Sequence, residues 1–333
     1  MFLTIAIPSH NKSYLLNQAL NSIIDEPALN EEIDILISDN SPSNDIKDLF
    51  NGKFSKRKNI NLIDSSKFQC LDSNVNRSVE ASRGEYVWIF GDDDLIVEGA
   101  LSTIVSYLKE NKPEVLILNS KSFKDSSVIE ESRMPTNTRK IYYEKQNDEF
   151  LSELGSYLTY IGGIIVKKRL WVKYYDHSKI GTFFSHLVCL AKIKNNRVIH
   201  YLDKPAIKMR LGNQTWTNKS FMIWHKFFPE VIWSLKNYSD SAKQKVISKN
   251  PLESIKVLIA SRAYKRYDFS IWKKNILISP KFKILLKINS FLVSLVPSII
   301  FSKLYIFYII LFRNKHTYNF SPKLALAKLK YKH

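Results

Sequence analysis

Cysteine, glycine and proline are scarce in this chain of 333 residues, which contains 2, 9 and 11 of them. Cys70 and Cys189 cannot form a disulfide framework, and the sequence holds no CxxC pair or His/Cys cluster with zinc-ligand spacing. The low glycine and proline content excludes collagen-like and low-complexity chains. Hydrophobic residues make up 45% of the sequence, so we expect a folded protein with a sizeable core in a reducing cytosol.

Acidic residues are nearly absent from the last third of the chain. Residues 241–333 carry 2 acids and 19 bases, whereas residues 1–110 carry 17 acids and 10 bases. A basic tail of this kind indicates a polyanionic partner, either a nucleic acid or an anionic membrane surface. The first apolar run, residues 2–7, has no basic residue before it, so we expect no export signal there.

Strand-like and helix-like segments alternate in the first third of the chain. Apolar residues at helical spacing occupy residues 14–24 and 100–108, and β-rich apolar runs occupy residues 3–7, 33–37, 86–90 and 115–118. This alternation predicts an α/β fold with a Rossmann-like, mostly parallel sheet and helices on both faces. Polar clusters at residues 8–11, 38–41 and 91–94 follow three of the runs, and we expect them to meet at the carboxyl edge of the sheet.

The second half of the chain has a weaker pattern. Residues 123–147 are polar and charged, which predicts a loop or linker, and residues 157–166 resemble another strand. Helical spacing predicts helices over residues 184–193, 221–235 and 252–264.

Three consecutive carboxylates, those of Asp92, Asp93 and Asp94, follow the third strand-like run. Neighbouring carboxylates repel one another unless a cation intervenes, and hard oxygen ligands of this type suit Mg²⁺ or Mn²⁺. The ordinary alternative is that Asp94 caps the next helix while the other two are solvated.

Several polar residues near the other strand ends have two interpretations each. Asp39 and Asn40 have the donors and acceptors to bind a heterocyclic base, but both residue types also form turns readily. Ser9 and Asn11 could contact a ligand or cap the following helix. Arg77 could neutralise a phosphate or lie on a solvated helix face.

In chain order, three stretches resemble glycosyltransferase family 2, whose members have the GT-A fold. They are TIAIPSHNKSYLLNQALNSI, EIDILISDNSPSND and NVNRSVEASRGEYVWIFGDDDLIVEGAL. The resemblance implies that Pro8, Ser9, Asn11 and Asp39 line a nucleotide pocket in which Asp39 reads the base. With the other candidates, the predicted site for the nucleotide-sugar donor comprises Pro8, Ser9, Asn11, Asp39, Asn40, Arg77, Asp92 and Asp93.

The same resemblance implies that Asp92, Asp93 and Asp94 correspond to the family's DxD motif, which binds the metal that bridges the donor diphosphate. The commoner family form is DxDD, and its first aspartate falls on Gly91 here. The GDDD form resembles the subset of the family that acts in bacterial O-antigen and capsule synthesis.

Family members invert the anomeric centre and take a general base from an aspartate in a later ED-type motif. This chain has no Glu-Asp pair between residues 154 and 229, where the only acids are Asp176 and Asp203. His186 falls about where the motif is expected, and an imidazole is a reasonable base near pH 7. His186 is therefore the first candidate and Asp176 the second, although a structural histidine is the ordinary alternative. A loop over the donor or acceptor is also expected from Arg210, Asn213 and Trp216.

The tail contains an apolar stretch at residues 291–312, whose only charge is Lys303 and whose only proline is Pro297. The proline and the central charge favour two short helices lying in a membrane interface over one spanning helix. A nucleic-acid-binding tail would instead interleave basic and aromatic residues without a long apolar run, so we expect no nucleic-acid partner.

These features predict a GT-A glycosyltransferase domain over residues 1–215, with a nucleotide-binding half (1–110) and an acceptor-binding half (111–215). Residues 216–333 form a basic, mainly helical region with a membrane-associating segment at 280–315. The expected reaction is inverting, metal-dependent transfer from a nucleotide-diphosphate sugar to a lipid-linked oligosaccharide or similar cell-surface glycan precursor, at the cytoplasmic face of the inner membrane. The alternatives are a nucleotidyltransferase and a non-catalytic sugar-nucleotide-binding or scaffold protein.

Overall fold

The computed structural model describes residues 1–134, 138–193, 198–213 and 219–312. The chain divides into two compact units, Met1–Arg210 and Leu211–His333. This division lies close to the boundary expected between residues 215 and 216.

The first unit is built on one sheet, in which ten strands are described. They are β1 (Leu3–Ser9), β2 (Ile33–Asp39), β3 (Ile60–Asp64), β4 (Tyr86–Ile89), β5 (Leu95–Ile96), β6 (Val115–Lys124), β7 (Ser127–Glu130), β8 (Lys140–Tyr143), β9 (Ile164–Lys167) and β10 (Val198–Arg210). The main path runs β3-β2-β1-β4-β9-β6-β10-β5, with β7 paired to β6 and β8 paired to β10. Strands β3, β2, β1 and β4 are mutually parallel, and β9 runs antiparallel between β4 and β6.

Seven helices are described in the first unit, and the first three connect the parallel strands β1, β2, β3 and β4. They are α1 (Ser13–Ile24), α2 (Asp45–Leu49), α3 (Leu71–Ala81), α4 (Ala100–Asn111), α5 (Asn147–Leu154), α6 (Lys168–Tyr174) and α7 (Ser185–Lys192). The apolar face of α1 buries Leu16, Leu20 and Ile23, while Ile5 and Ile7 of β1 are buried with them in one hydrophobic cluster. Continuous apolar runs such as β1 and β2 are typical of strands covered on both faces. The predicted α/β fold class is confirmed for the first unit.

Two expectations for the middle of the chain were wrong in part. The strand predicted over residues 157–166 is confined to β9, and 3₁₀ turns at Tyr157–Thr159 and Ile161–Gly163 precede it. A Cβ on Gly162 would lie 2.5 Å from the hydroxyl oxygen of Tyr160, so these turns require the glycine that the strand interpretation ignored. The loop predicted over residues 123–147 contains β7 and β8, which are short and each pair with one strand only, so their sequence lacks a clear alternation.

The second unit is helical in its described part. Its helices are α8 (Ser220–Met222), α9 (Phe228–Trp233), α10 (Asp240–Val246), α11 (Ile255–Ala263), α12 (Phe269–Trp272), α13 (Ile284–Leu295) and α14 (Ser298–Phe312). Phe221, Leu258, Tyr267 and Ile276 are central to its buried cluster. The expected break at Pro297 separates α13 from α14. Among the helices described, none alone has the length and hydropathy to cross a membrane; Ile284–Leu295 and Ser298–Phe307 meet those criteria only as a pair, bent by 98°.

Candidate active site

The three polar clusters meet at the carboxyl edge of the parallel strands. Ser9, at the end of β1, pairs with Asp39 at the end of β2. The Ser9 hydroxyl donates to a carboxylate oxygen of Asp92 at 2.9 Å. The backbone carbonyl of Ser9 accepts from the backbone N–H of Asn40 at 3.1 Å. The sequence prediction therefore identified neighbours that lie more than 80 positions apart in the chain.

Asp39 is buried at this edge and stabilises the turn that follows β2. Its Oδ1 accepts from the backbone N–H of Ser41 at 2.8 Å, and the Ser41 hydroxyl accepts from the backbone N–H of Asn11 at 2.8 Å. Asn11 has a φ of 55°, a left-handed conformation that asparagine tolerates better than most residues. Pro8 is half-buried one position before Ser9. The turn interpretation of Asp39 is thus correct, and it holds the residue beside Ser9.

Asn40 and Arg77 are linked through a residue that the sequence interpretation missed. The side-chain amide of Asn40 donates to the carbonyl of Phe68 at 2.8 Å, and the Arg77 guanidinium lies 5.9 Å from the centroid of the Phe68 ring. The exposed His10 also places Nδ1 at 3.1 Å from the side-chain oxygen of Asn40. Phe68 therefore contacts both Asn40, a predicted base-binding residue, and Arg77, a predicted phosphate-binding residue.

Asn74, on α3, is a second residue that was missed. Its buried side chain accepts from the Ser38 hydroxyl at 2.7 Å, and its amide donates to the carbonyl of Ser38 at 3.1 Å. A polar residue on the buried face of a short amphipathic helix is the signal that could have identified it. Asn74 therefore holds the end of β2 in place through these two bonds to Ser38.

Asp92 and Asp93 share one cation, the ammonium group of Lys12. Its Nζ lies 3.1 Å from Oδ1 of Asp92 and 2.9 Å from Oδ2 of Asp93. Burial raises the pKa of Asp92 despite the opposing effect of Lys12, and the nearby Asp93 carboxylate also raises it. Burial tends to lower the pKa of Lys12, but Asp92 and Asp93 outweigh that effect and raise it. Lys12 was not among the predicted site residues.

Asp94 is separated from this pair by its own contacts. Oδ2 accepts from the Tyr160 hydroxyl at 2.5 Å, and Oδ1 accepts from the backbone N–H of Arg210 at 3.0 Å. Burial, followed by repulsion from Asp93, raises the pKa of Asp94 to about 7. The Arg210 side chain donates from Nε to the Asp93 carbonyl at 2.9 Å. Arg210 was expected in a loop over the donor or acceptor, and here it contacts the aspartate loop, residues 91–94. Trp216 lies outside the described residues.

The donor set of Asp92 and Asp93 fits a divalent cation. Within the described ranges, no group of three or more His, Cys, Asp and Glu side chains is placed to hold a metal. Mg²⁺ and Mn²⁺, however, need only one or two carboxylates when water and substrate phosphates fill the remaining positions. The Lys12 ammonium shows that two carboxylate oxygens already converge on one positive charge. Asp94, which the sequence grouped with them as a metal ligand, instead has both carboxylate oxygens engaged by Tyr160 and Arg210.

His186 lies near the N-terminus of α7 and is 3% exposed. Its Nε2 lies 2.8 Å from the carbonyl oxygen of Leu158. A carbonyl oxygen only accepts, so Nε2 carries the proton and Nδ1 carries the lone pair when the ring is neutral. Burial lowers the pKa of His186, which favours this neutral form. The bond to Leu158 anchors the ring in the way that is typical of a structural histidine. The same bond selects the tautomer in which Nδ1 is the basic nitrogen.

Asp176, the second candidate base, is bound as an anion. Its Oδ2 lies 2.6 Å from Nζ of Lys192, and its Oδ1 accepts from the hydroxyl and the backbone N–H of Ser178. Hydrogen bonds from Lys192 and Ser178 lower the pKa of Asp176 to about 2. A carboxylate stabilised in this way is a weak proton acceptor. Asp176 instead caps the 3₁₀ turn His177–Lys179.

A buried aspartate on α3 holds the segment that leads into α7. The carboxylate of Asp72 accepts from the backbone N–H of Gly181 and of Phe183 at 2.8 Å, and from the Ser185 hydroxyl at 2.8 Å. Phe183 and Gly181 both have positive φ values, so the segment is tightly turned. Asp72 therefore fixes the backbone immediately before His186, which sequence alone did not reveal.

Comparisons with known proteins identify the class of the domain. The model of the family described as Glycosyl transferase family 2 matches residues 4–166. The abequosyltransferase RfbV of Salmonella typhimurium is 27% identical over 66% of this chain and 69% of its own length. The GalNAc(5)-diNAcBac-PP-undecaprenol beta-1,3-glucosyltransferase of Campylobacter jejuni is 27% identical over 34% of this chain and 36% of its own.

Similarity to a solved structure supports the fold. The crystal structure of S. aureus TarS 1-349 in complex with UDP-GlcNAc superposes with a TM-score of 0.54 at 16% identity, covering 74% of this chain and 70% of that one. The domain match also decides against the nucleotidyltransferase interpretation, since the matched residues include the whole aspartate loop. The chain therefore carries a glycosyltransferase domain of family 2 over residues 4–166, and it is a glycosyltransferase.

Proposed function

We propose that this enzyme moves one sugar from a nucleotide-diphosphate donor to a polyprenyl-diphosphate-linked oligosaccharide or a similar cell-surface glycan precursor, with inversion at the anomeric carbon. The observation that carries the donor half is the convergence of Ser9, Asp39 and Asp92 at one sheet edge, beside the positive charge of Lys12. The acceptor half is supported by the relatives, one of which is named for an undecaprenol-linked glycan.

In this proposal Asp39, Asn40 and Arg77 bind the nucleoside, and Asp92 and Asp93 face the diphosphate through a divalent cation, Mn²⁺ or Mg²⁺. When bound, the cation stabilises negative charge on the departing diphosphate as a Lewis acid. Asp94 holds the loop in place through Tyr160 and Arg210.

Inversion requires a base opposite the departing diphosphate, and we propose His186 for this role. The Leu158 carbonyl fixes its tautomer, so that Nδ1 can accept the proton of the acceptor hydroxyl, and Asp72 positions the preceding backbone. The tautomer and the lowered pKa keep the ring unprotonated near pH 7, which is the state in which a base can accept this proton.

The donor assignment is tested by thermal unfolding of the full chain with a panel of nucleotide-diphosphate sugars, with and without Mn²⁺. A ligand that binds the folded state raises the midpoint by mass action. We expect one donor class to stabilise the wild type and to lose that effect in Asp39→Ala and Asp93→Ala, with Asp48→Ala on α2 as an exposed control. Stabilisation of all four proteins alike would contradict the assignment.

Transfer itself distinguishes an enzyme from the non-catalytic alternative. A protein that binds the donor without transferring the sugar to a lipid-linked acceptor, and without hydrolysing it, would be a sugar-nucleotide-binding or scaffold protein. We place the enzyme at the cytoplasmic face of the cell membrane, because a lipid-linked acceptor and a nucleotide sugar meet there.

A further inference from the structure

Helix α13 buries two serines and exposes most of its larger apolar side chains. Its buried side carries Ser290 and Ser294, which are 0% and 2% exposed, together with Val293, whereas Ile284 and Leu285 are 74% and 67% exposed. Helices normally turn the apolar face to the core and the polar face to water. Here Val293 is the one aliphatic side chain of the helix that is buried, and most of the larger aliphatic side chains are exposed.

Exposed apolar side chains are also present beyond the bend, on α14. We define the apolar face by six exposed side chains: Leu285, Ile288, Leu292, Leu295, Ile299 and Leu304. The first four recur at intervals of three and four residues, so they form one stripe along α13. A contiguous exposed apolar patch of this kind marks a protein or membrane interaction site.

The orientation of α13 is fixed by hydrogen bonds from the core of the second unit to its backbone. The Tyr267 hydroxyl donates to the Ser290 carbonyl at 3.0 Å, and Nε1 of Trp272 donates to the Lys287 carbonyl at 3.1 Å. At the bend, Nε of Arg262 donates to the Val296 carbonyl at 2.8 Å. Rotation of α13 to bury its leucines would break these bonds, so the apolar face is held outward by the fold.

Exposed lysines lie close in sequence to the residues of the apolar face. Lys273, Lys274, Lys281 and Lys283 are exposed just before and at the start of α13, and Lys303 is exposed on α14. The sequence from residue 269 to residue 333 contains no Asp or Glu. Apolar side chains flanked by lysines are complementary to a lipid surface whose acyl region is apolar and whose headgroups are anionic.

We propose that the apolar face docks on an anionic lipid bilayer, with α13 and α14 lying along the interface and the lysines among the headgroups. At 1.5 Å per residue α13 and α14 are about 18 and 22 Å long, each shorter than the roughly 30 Å hydrocarbon core, and they bend by 98° between them. This docking rests on the second unit alone and does not depend on the proposed reaction.

The test is flotation of the full chain with phosphatidylcholine vesicles that contain or lack phosphatidylglycerol, at low and at high salt. The wild type is expected to float with the anionic vesicles. Leu285→Glu with Leu292→Glu should lower the bound fraction about tenfold or more. The matched control, Val128→Glu with Val172→Glu, changes two exposed apolar residues of the first unit and should bind like the wild type.

A second pair of variants tests the charge. Lys281→Gln with Lys283→Gln should weaken binding to anionic vesicles about tenfold and leave binding to neutral vesicles nearly unchanged, whereas Lys56→Gln with Lys58→Gln should have no effect. Circular dichroism melting of each variant shows whether it is folded, which is expected because all the changed side chains are exposed.

Three results would overturn the proposal. The first is a wild type that stays with the soluble fraction at low salt in the presence of anionic vesicles. The second is a discrete dimer that the Leu285 and Leu292 variant converts to monomer, with no vesicle binding, which would assign the apolar face to a second copy of the chain. The third is salt-sensitive binding to RNA or DNA that the lysine variants abolish, without any vesicle binding.

Discussion

Gly91 leaves room for the carboxylate of Asp94. A Cβ built on Gly91 lies 2.6 Å from Oδ2 of Asp94, a distance that real structures do not show. The carboxylate cannot move away without losing a bond, because Tyr160 donates to Oδ2 and the backbone of Arg210 donates to Oδ1. The glycine that replaces the first aspartate of the commoner DxDD motif is thus required by the position of Asp94.

Substituting Gly91 is therefore expected to impair the enzyme, even when the substitution restores the commoner motif. Gly91→Ala and Gly91→Asp should both lower kcat about a hundredfold, because a displacement of about 1 Å at a reacting centre has an effect of that size. Gly52→Ala is the matched control, since a Cβ there meets nothing within 4 Å. A Gly91→Asp enzyme with wild-type or higher turnover would contradict the steric argument.

Lys12 and a divalent cation should compete for the same carboxylates. Lys12→Met leaves Asp92 and Asp93 facing each other without a counter-charge, which should cost about 1 to 3 kcal/mol of unfolding free energy for a partly buried pair. Mn²⁺ should replace the lost positive charge, so it should raise the unfolding midpoint more in Lys12→Met than in the wild type.

The control for this experiment is Lys56→Met, which removes an exposed lysine and should behave like the wild type with and without Mn²⁺. Equal stabilisation of Lys12→Met and wild type by Mn²⁺ would show that the cation does not bind at the position of the ammonium group.

The parallel half of the fold and the location of the site could be predicted from sequence, because strand ends in such a sheet must share an edge. Ser9, Asp39 and Asp92 were found in this way. Tyr160 could not be found, since it approaches Asp94 from a 3₁₀ turn that breaks the expected strand. Lys12 looked like an ordinary loop lysine, because its role depends on a contact about 80 positions away.

The orientation of α13 was also beyond sequence reasoning. Its apolar positions are consistent with a helix that faces the core, and only the bonds from Tyr267 and Trp272 show which side is buried. The helix itself and the break at Pro297 follow from local composition, whereas the direction of a face depends on tertiary contacts.

The two candidate bases are separated by conservative substitutions. His186→Gln retains an N–H that can reach the Leu158 carbonyl but removes the basic nitrogen, so kcat should fall between about a hundredfold and ten-thousandfold with little loss of stability. Asp176→Asn should leave kcat within a few-fold of wild type, because that carboxylate is engaged by Lys192. Full activity of His186→Gln, or a large loss of kcat in a folded Asp176→Asn, would remove His186 as the proposed base.

A buried histidine that is not among the site residues is expected to make the stability of the first unit sensitive to acid. Nδ1 of His200 lies 2.5 Å from the Tyr107 hydroxyl, and burial, assisted by Arg139, lowers the pKa of His200 to about 4. The unfolded chain, in which a histidine has a pKa near 6.5, therefore binds the extra proton first as the pH falls. The free energy of unfolding should be fully retained above pH 6.5 and should drop by up to about 3 kcal/mol between pH 6.5 and pH 4.

His200→Gln keeps an acceptor for Tyr107 but cannot take up a proton, so its unfolding free energy should fall less steeply over this pH range. Denaturant unfolding at several pH values measures the difference, and His177→Gln, at an exposed position, should follow the wild-type curve. Parallel curves for wild type and His200→Gln would mean that protonation of other groups accounts for the acid sensitivity.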